Sequence, residues 1–371
     1  MRTLRSTWTQ ESGWADLPPV QTPPSLVLIF GTRAQLDGPA LGQLAEGVPR
    51  DRIFGCSTAG QIDGTCVVDD AVVATSVWFD RVHHVAVSGC ADGGGGLRVF
   101  GEVLARRLPV EGLTHALVFC DGTRVNGAQL IDGLVAGLPA GVTVSGGLAG
   151  DGESLAVTTV VHEGVAATGL ISVLGLYGPL RVRTGTLGGW IPFGPSRRVT
   201  ASTGGVLRQF DGESALDVYK RYLGPFAAGL PRSGLLFPLL IEPPQGTPVA
   251  RLILDVDHVG DSVTFAGDIP VGSTARMMHA SLERLIEGAT GAAKSAFLEG
   301  APLALVVSCV GRRMVLKQRT EEELEAVREV LGEGTTLAGF YSYGELAPAE
   351  SGQPCRLHNH YIAITTFAEA A

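Results

Sequence analysis

Apolar runs too short for helices recur along the chain, and each is closed by a glycine. LVLIFGTR (26–33) leads through a leucine-spaced segment to IFGCSTAGQI (53–62). ALVFCDGTR (116–124) leads through LIDGLVAGL to VTVSGGLAGDG (142–152). ALVVSCVGRR (304–313) leads through EEELEAVREVLG to TLAGFYSYGEL (336–346). Continuous apolar runs of this length fit strands buried on both faces, and the intervening 3.6-residue period fits a helix. Each copy therefore predicts a βαβ-like unit: strand, glycine turn carrying arginine (Arg33, Arg124 or Arg313), helix, second strand, and a turn bounded by Gly60, Gly150 or Gly344.

Between the copies the pattern alternates. Residues 71–79 with VHHVAVSG (82–89), and VVHEG with ATGLISVLGLYG, each predict a hairpin. From Gly188 the composition shifts to GGWIPFGPSRRVTASTGG, followed by a helical ESALDVYKRYLG (213–224). VARLILDVDHVGDSVTFAGDIPVGS then reads as antiparallel strands and MMHASLERLIEGATGAAKSAFLEG as a helix. Residues 1–25, ending in LPPVQTPPS, read as an unstructured lead-in. The predicted architecture is α/β: two related domains, 26–187 and 188–367, with mixed β-sheets flanked by helices.

Composition supports this division. At 371 residues the chain exceeds the roughly 250–300 at which single cores stop growing. Hydrophobic residues make up 45% against 18% charged, as in a compact globular body. The net charge of −9 with no Lys/Arg-dense stretch disfavours nucleic acid and anionic membrane surfaces as partners. MRTLRSTWTQ has no apolar segment behind it, and the uncharged run Gly164 to Leu180 is broken by glycines and a proline. The six cysteines are scattered singly without a CxxC pair, which predicts reduced thiols and a cytoplasmic location.

Several segments approach catalytic or binding motifs. GCSTAG lacks the glycine two places after serine that a nucleophile elbow needs, so Ser57 and Thr58 read as turn formers or donors to a polar group. A hydrolase using Ser57 or Cys56 stands as the enzyme alternative to a non-catalytic protein. EGATGAAKS has alanine where a P-loop needs its last glycine, leaving Lys294 a solvated helix residue. GGGG (93–96) before LRVFGEVLARRL reads as a connector or as an anion site at a helix start. In CRLHNHYIAITTF, His358 and His360 fall on one face of a predicted strand, a spacing that suits a shared metal, an axial haem ligand or ordinary hydrogen bonds. TLAGFYSYGEL places Tyr341, Ser342, Tyr343 and Glu345 on a turn, where a plain turn needs none of them.

The segments GWIPFG, YKRYLG, RLILDVD, GDIPVGS, VVSCVGRR, GFYSYGEL and LHN, in that order, resemble the FIST family (F-box and intracellular signal transduction), and FGCSTAGQI with VSGGLAGD resembles its amino-terminal domain. The resemblance spans about residues 26–367. It implies a sensory module for a small, amino-acid-like ligand, signalling through a histidine kinase, a cyclic-di-nucleotide enzyme or a chemotaxis receptor. Some members of the family are haem proteins responding to nitric oxide, which makes haem b a candidate cofactor with His358 or His360 as ligand. A homo-oligomer is compatible with all of this. The expected site has the polar turns, with Ser57, Thr58, Tyr341, Tyr343, Glu345 and Asn359, line shared clefts with arginines at the opposite strand ends, Arg312 or Arg313 taking a carboxylate and Glu345 an amine. The alternative is that Glu345 and an arginine merely tie one domain to another.

Overall fold

A computed structural model describes residues 1–90, 96–350 and 352–370; Gly93, Gly94 and Gly95 of the glycine run lie outside the described residues. The fold is α/β, with mixed sheets flanked by helices. All three predicted units form. Opening strands Leu26–Gly31, Leu113–Cys120 and Leu303–Cys309 run parallel to closing strands Ile53–Ser57, Thr143–Leu148 and Thr336–Ser342. Helices Pro39–Gly47, Gly127–Gly137 and Thr320–Leu331 lie in the three connections.

Each copy adds a return strand antiparallel to its opening strand: Val72–Trp78, Leu170–Tyr177 and Ile362–Glu369. Beyond each return strand lies a leading strand: Arg2–Thr9, His83–Cys90 and Leu180–Leu187. The hairpin between closing and return strands leaves its own sheet. Gln61–Asp63 of the first copy pairs with the closing strand of the third. Val160–His162 of the second pairs with that of the first. Gly344–Pro348 of the third pairs with that of the second. The exchange closes a cycle, so the three copies interlock around a pseudo-threefold centre.

Alternation of side chains gives each opening strand two buried faces. Leu28 and Phe30, Leu117 and Phe119, and Leu305 and Val307 meet in one central core. There Phe30 stacks on Phe340 at 4.8 Å and meets Phe119 edge-on at 5.9 Å. The opposite faces pack outward against helices, as Val27 and Ile29 do against Leu41 and Leu44.

Three expectations are corrected. Residues 1–25 are not an unstructured lead-in: Arg2–Thr9 extends the first sheet, with Trp8 buried beside Val27 and Leu41. The two predicted hairpins do not form, because strands 72–78 and 83–90 belong to different sheets, as do 160–162 and 170–177. Met277, Met278 and His279 sit on a strand, Thr274–Ala280, and the helix begins only at Leu282, capped by the Ser281 side chain.

The strands from Trp190 to Ala280 form a separate eight-stranded sheet with its own core around Leu207, Tyr219, Ile241 and Val263. This lobe is inserted into the third copy between its leading strand and helix Leu282–Ala296. Strands from both sides of residue 187 share the interlocked sheets, since Gly344–Pro348 and Cys355–His358 join the second copy's sheet and Gln61–Asp63 joins the third's.

Candidate functional site

Parallel pairing puts the arginine turns and the polar turns at the same ends of the strands, not at opposite ends: Gly31 lies opposite Ser57, and Cys309 opposite Ser342. There the three polar turns bond to one another. Ala59 N donates to Tyr341 O (2.8 Å), Tyr341 N to Gly60 O (2.8 Å), Gly150 N to Ser57 O (2.9 Å) and Tyr343 N to Leu148 O (3.2 Å). Ligands of open α/β sheets bind beyond such carboxyl ends. Here the interlock buries Ser57, Tyr341 and Tyr343 of those turns.

The tyrosines and the glutamate are bolts of this junction. Tyr341 Oη donates to Glu323 Oε1 (2.6 Å), which also accepts from Ser308 Oγ (2.9 Å). Glu323 Oε2 takes two N–H groups of Arg312 (3.0 and 2.8 Å), whose remaining donors reach the carbonyls of Leu285 (2.7 Å) and Gly188. Tyr343 Oη donates to Asp151 and accepts from Leu155 N (3.0 Å). Asn359 Nδ2 donates to Tyr343 O (3.1 Å). Ser57 Oγ accepts from Thr159 N (2.9 Å), and Thr58 Oγ1 donates to Gln61 Oε1 (3.2 Å). Arg312, Tyr341, Tyr343, Glu345, Ser57 and Asn359 are all without solvent exposure. Arg312 and Glu345 thus face no open pocket, and the predicted pairing of these two around a ligand is not built. Cys56 is equally enclosed, and burial pushes its thiol well up, away from a nucleophile's range.

Glu345 accepts from Ser342 Oγ (2.6 Å) and Tyr361 N (3.1 Å), but burial outweighs these bonds and raises its pKa to about 8. It therefore stays protonated in the fold at pH values where the unfolded chain ionises it. Its contribution to stability is lost as pH rises from the ordinary carboxylate range to about 8. Glu345→Gln, read by urea titration, is expected to match the parent at pH 4 and to exceed it by about 3 kcal/mol near pH 7. A gain independent of pH would show that Glu345 is ionised in the fold.

The two histidines do not share a strand face. Strand Cys355–His358 ends at His358, and His360 adopts a left-handed turn (φ 66°), which breaks the two-residue period. His358 Nε2 lies 3.0 Å from Ala347 O, and its ring packs on Tyr361. His360 is sealed between Trp190, at 4.6 Å, and the backbone of Gly311, where even a Cβ would meet the ring at 2.5 Å. Burial lowers the pKa of His358 to about 4 and of His360 to about 3, so both are neutral. Neither ring has room for a porphyrin face, and the residues present do not fit haem. Among the described residues no cluster of three or more His, Cys, Asp or Glu side chains could hold a metal ion.

Arg313 alone of the predicted arginine pair opens to solvent. It lines a cleft of about 870 Å³ between the interlocked core (Ala59, Asp69, Gly152, Glu153) and the inserted lobe (Gly229, Arg232, Ser233, Leu236). Its guanidinium forks onto Asp69 (2.8 and 2.5 Å) and donates to Ala59 O (2.6 Å). Gly60 permits this approach, since a Cβ there would lie 2.5 Å from Arg313 Nη1. Across the mouth Arg232 of the lobe pairs with Glu153 of the core. A second cleft of about 580 Å³ adjoins it over Ala59, Asp69 and Gly152, and holds Thr58 and Arg33. Arg124 is exposed and lines neither. Asp69, Glu153, Arg232 and Lys317 were not singled out by sequence reasoning, because they belong to no motif: the last two open short 3-10 turns, Arg232–Leu236 and Lys317–Arg319.

Two family models cover nearly the whole chain: the FIST N domain over residues 25–213 and the FIST C domain over 215–348. The chain belongs to the FIST family. FIST domains are associated with sensing in signal transduction. A search of curated proteins finds no match. In this FIST protein the two matched segments meet inside the inserted lobe, at Glu213–Ser214, and not at the change of composition near residue 187. Among the described residues no helix is long and apolar enough to cross a membrane.

Proposed function

We propose that this FIST protein is a non-catalytic sensor that binds a small, amino-acid-like ligand in the cleft between core and lobe. The observation that carries the reading is the pairing of opposite charges in that cleft, Arg313 with Asp69 and Arg232 with Glu153. A zwitterion can exchange into such pairs, its carboxylate taking a guanidinium and its ammonium an acid. Because Arg232 belongs to the lobe and Glu153 to the core, the ligand's contacts would differ between open and closed arrangements, which is what a ligand needs to shift a conformational equilibrium. The signal would pass through the lobe to a partner protein, of which histidine kinases, cyclic-di-nucleotide enzymes and chemotaxis receptors are the classes the family suggests. All six cysteines are free, in keeping with a reducing, cytoplasmic setting. Of the alternatives, the nitric-oxide-sensing haem protein draws no support from His358 or His360, and the hydrolase none from Ser57 or Cys56.

Calorimetric titration of the protein with a panel of amino acids tests the reading. Saturable binding is expected, weakened at least about tenfold by Arg313→Ala, the loss of one charge-assisted fork. Binding of unchanged strength in the variant would place the ligand elsewhere.

A further inference from the structure

Lys317 differs from every other charged group in the cleft. Arg313 and Arg232 each hold a carboxylate, whereas the Lys317 ammonium has no ion pair among the described residues. The backbone at Lys317 is also unusual: it caps helix Val310–Leu316 at φ 53°, ψ −119°, a conformation that costs any residue with a Cβ and that glycine adopts freely. The turn therefore favours glycine, and a lysine there is kept at a local cost. The side chain is exposed and lines the same cleft as Arg313, with Val310, Met314 and Leu236 supplying apolar wall.

Charge counting gives the consequence. Three cations, Arg232, Arg313 and Lys317, face two carboxylates, Asp69 and Glu153, in a chain whose net charge is −9. A neutral zwitterion exchanging into the pairs leaves that balance unchanged, so one cation stays uncompensated when the cleft closes over it. A ligand with one further carboxylate removes the imbalance. We propose that the cleft selects an acidic amino acid, its α-carboxylate and ammonium held by the arginine and acid pairs and its side-chain carboxylate read by Lys317. The inference rests on the cleft being the ligand site, and it assigns Lys317 as the residue that determines specificity.

The test is calorimetry on the full chain with glutamate and aspartate against glutamine and asparagine, in the parent, Lys317→Gly and Lys317→Gln. The parent is expected to bind the acids at least about tenfold more tightly than the amides. Both variants should lose that preference while keeping the amide affinity, and Lys317→Gly should also melt at a higher temperature than the parent. Equal binding of acids and amides by the parent overturns the assignment and leaves the cleft reading standing. A preference that survives both substitutions overturns it too, since another residue then reads the carboxylate. If neither acids nor amides bind, the cleft reading fails and this inference with it.

Discussion

Gly339→Ala is expected to cost more than about 4 kcal/mol and to leave little soluble protein, a loss reached only by a few mechanisms. A Cβ built on Gly339 lies 1.8 Å from the carbonyl oxygen of Val306, in the opening strand beside it, and the residue sits at φ 155°. Neither strand can retreat. The closing strand is held on its other side by the hairpin that the first copy exports, through Ala338, Gly339 and Phe340. The opening strand is held by the return strand along Leu303–Ser308. The same crowding recurs at Gly55 against Ile29 O (1.8 Å) and at Gly146 against Val118 O (1.9 Å), one position in each copy. Alanine at any of the three should behave alike. Gly334→Ala is the control, because a Cβ there meets nothing within 4 Å. Soluble yield and the urea midpoint decide the matter, and a Gly339→Ala protein with the parental midpoint would mean that the closing strands are not packed this tightly.

These three glycines show what was legible in the sequence. A strand buried on both faces must be apolar without interruption, so Leu26–Gly31, Leu113–Cys120 and Leu303–Cys309 stand out, and the helix between strands forces parallel pairing. The exchange of hairpins was not legible. Neighbouring strands in sequence usually pair with each other, and nothing in residues 61–68 or 160–167 records that the partner is the closing strand of another copy. Polar residues in an apolar turn did mark a special place. Yet a tyrosine that bolts two turns together and a tyrosine that meets a ligand present the same pattern, and only burial separates them. Arg312 and Arg313 make the point within one dipeptide. On helix Val310–Leu316 the first turns inward to Glu323 and the second outward to Asp69, and the sequence GRR carries no sign of which is which.

Arg312→Ala should destabilise the protein by about 3–5 kcal/mol, as removal of one partner from a buried ion pair generally does. Arg312 and Glu323 are both fully enclosed, 2.8 Å apart. The cost comes less from lost attraction than from what remains. Glu323 would keep Ser308 and Tyr341 as donors but lose the guanidinium it pairs with, and the carbonyls of Gly188 and Leu285 would lose theirs. Gly188 and Leu285 flank the inserted lobe on either side, so the lobe's anchorage loosens along with the core. Arg312→Met combined with Glu323→Leu removes the stranded charge and should recover part of the loss, though not the bonds to the two carbonyls. Urea titrations of the three proteins separate these contributions. A deficit in Arg312→Ala below about 1 kcal/mol, the range of exposed pairs, would indicate that solvent reaches Glu323, and the pair would then be a surface contact in effect despite its burial.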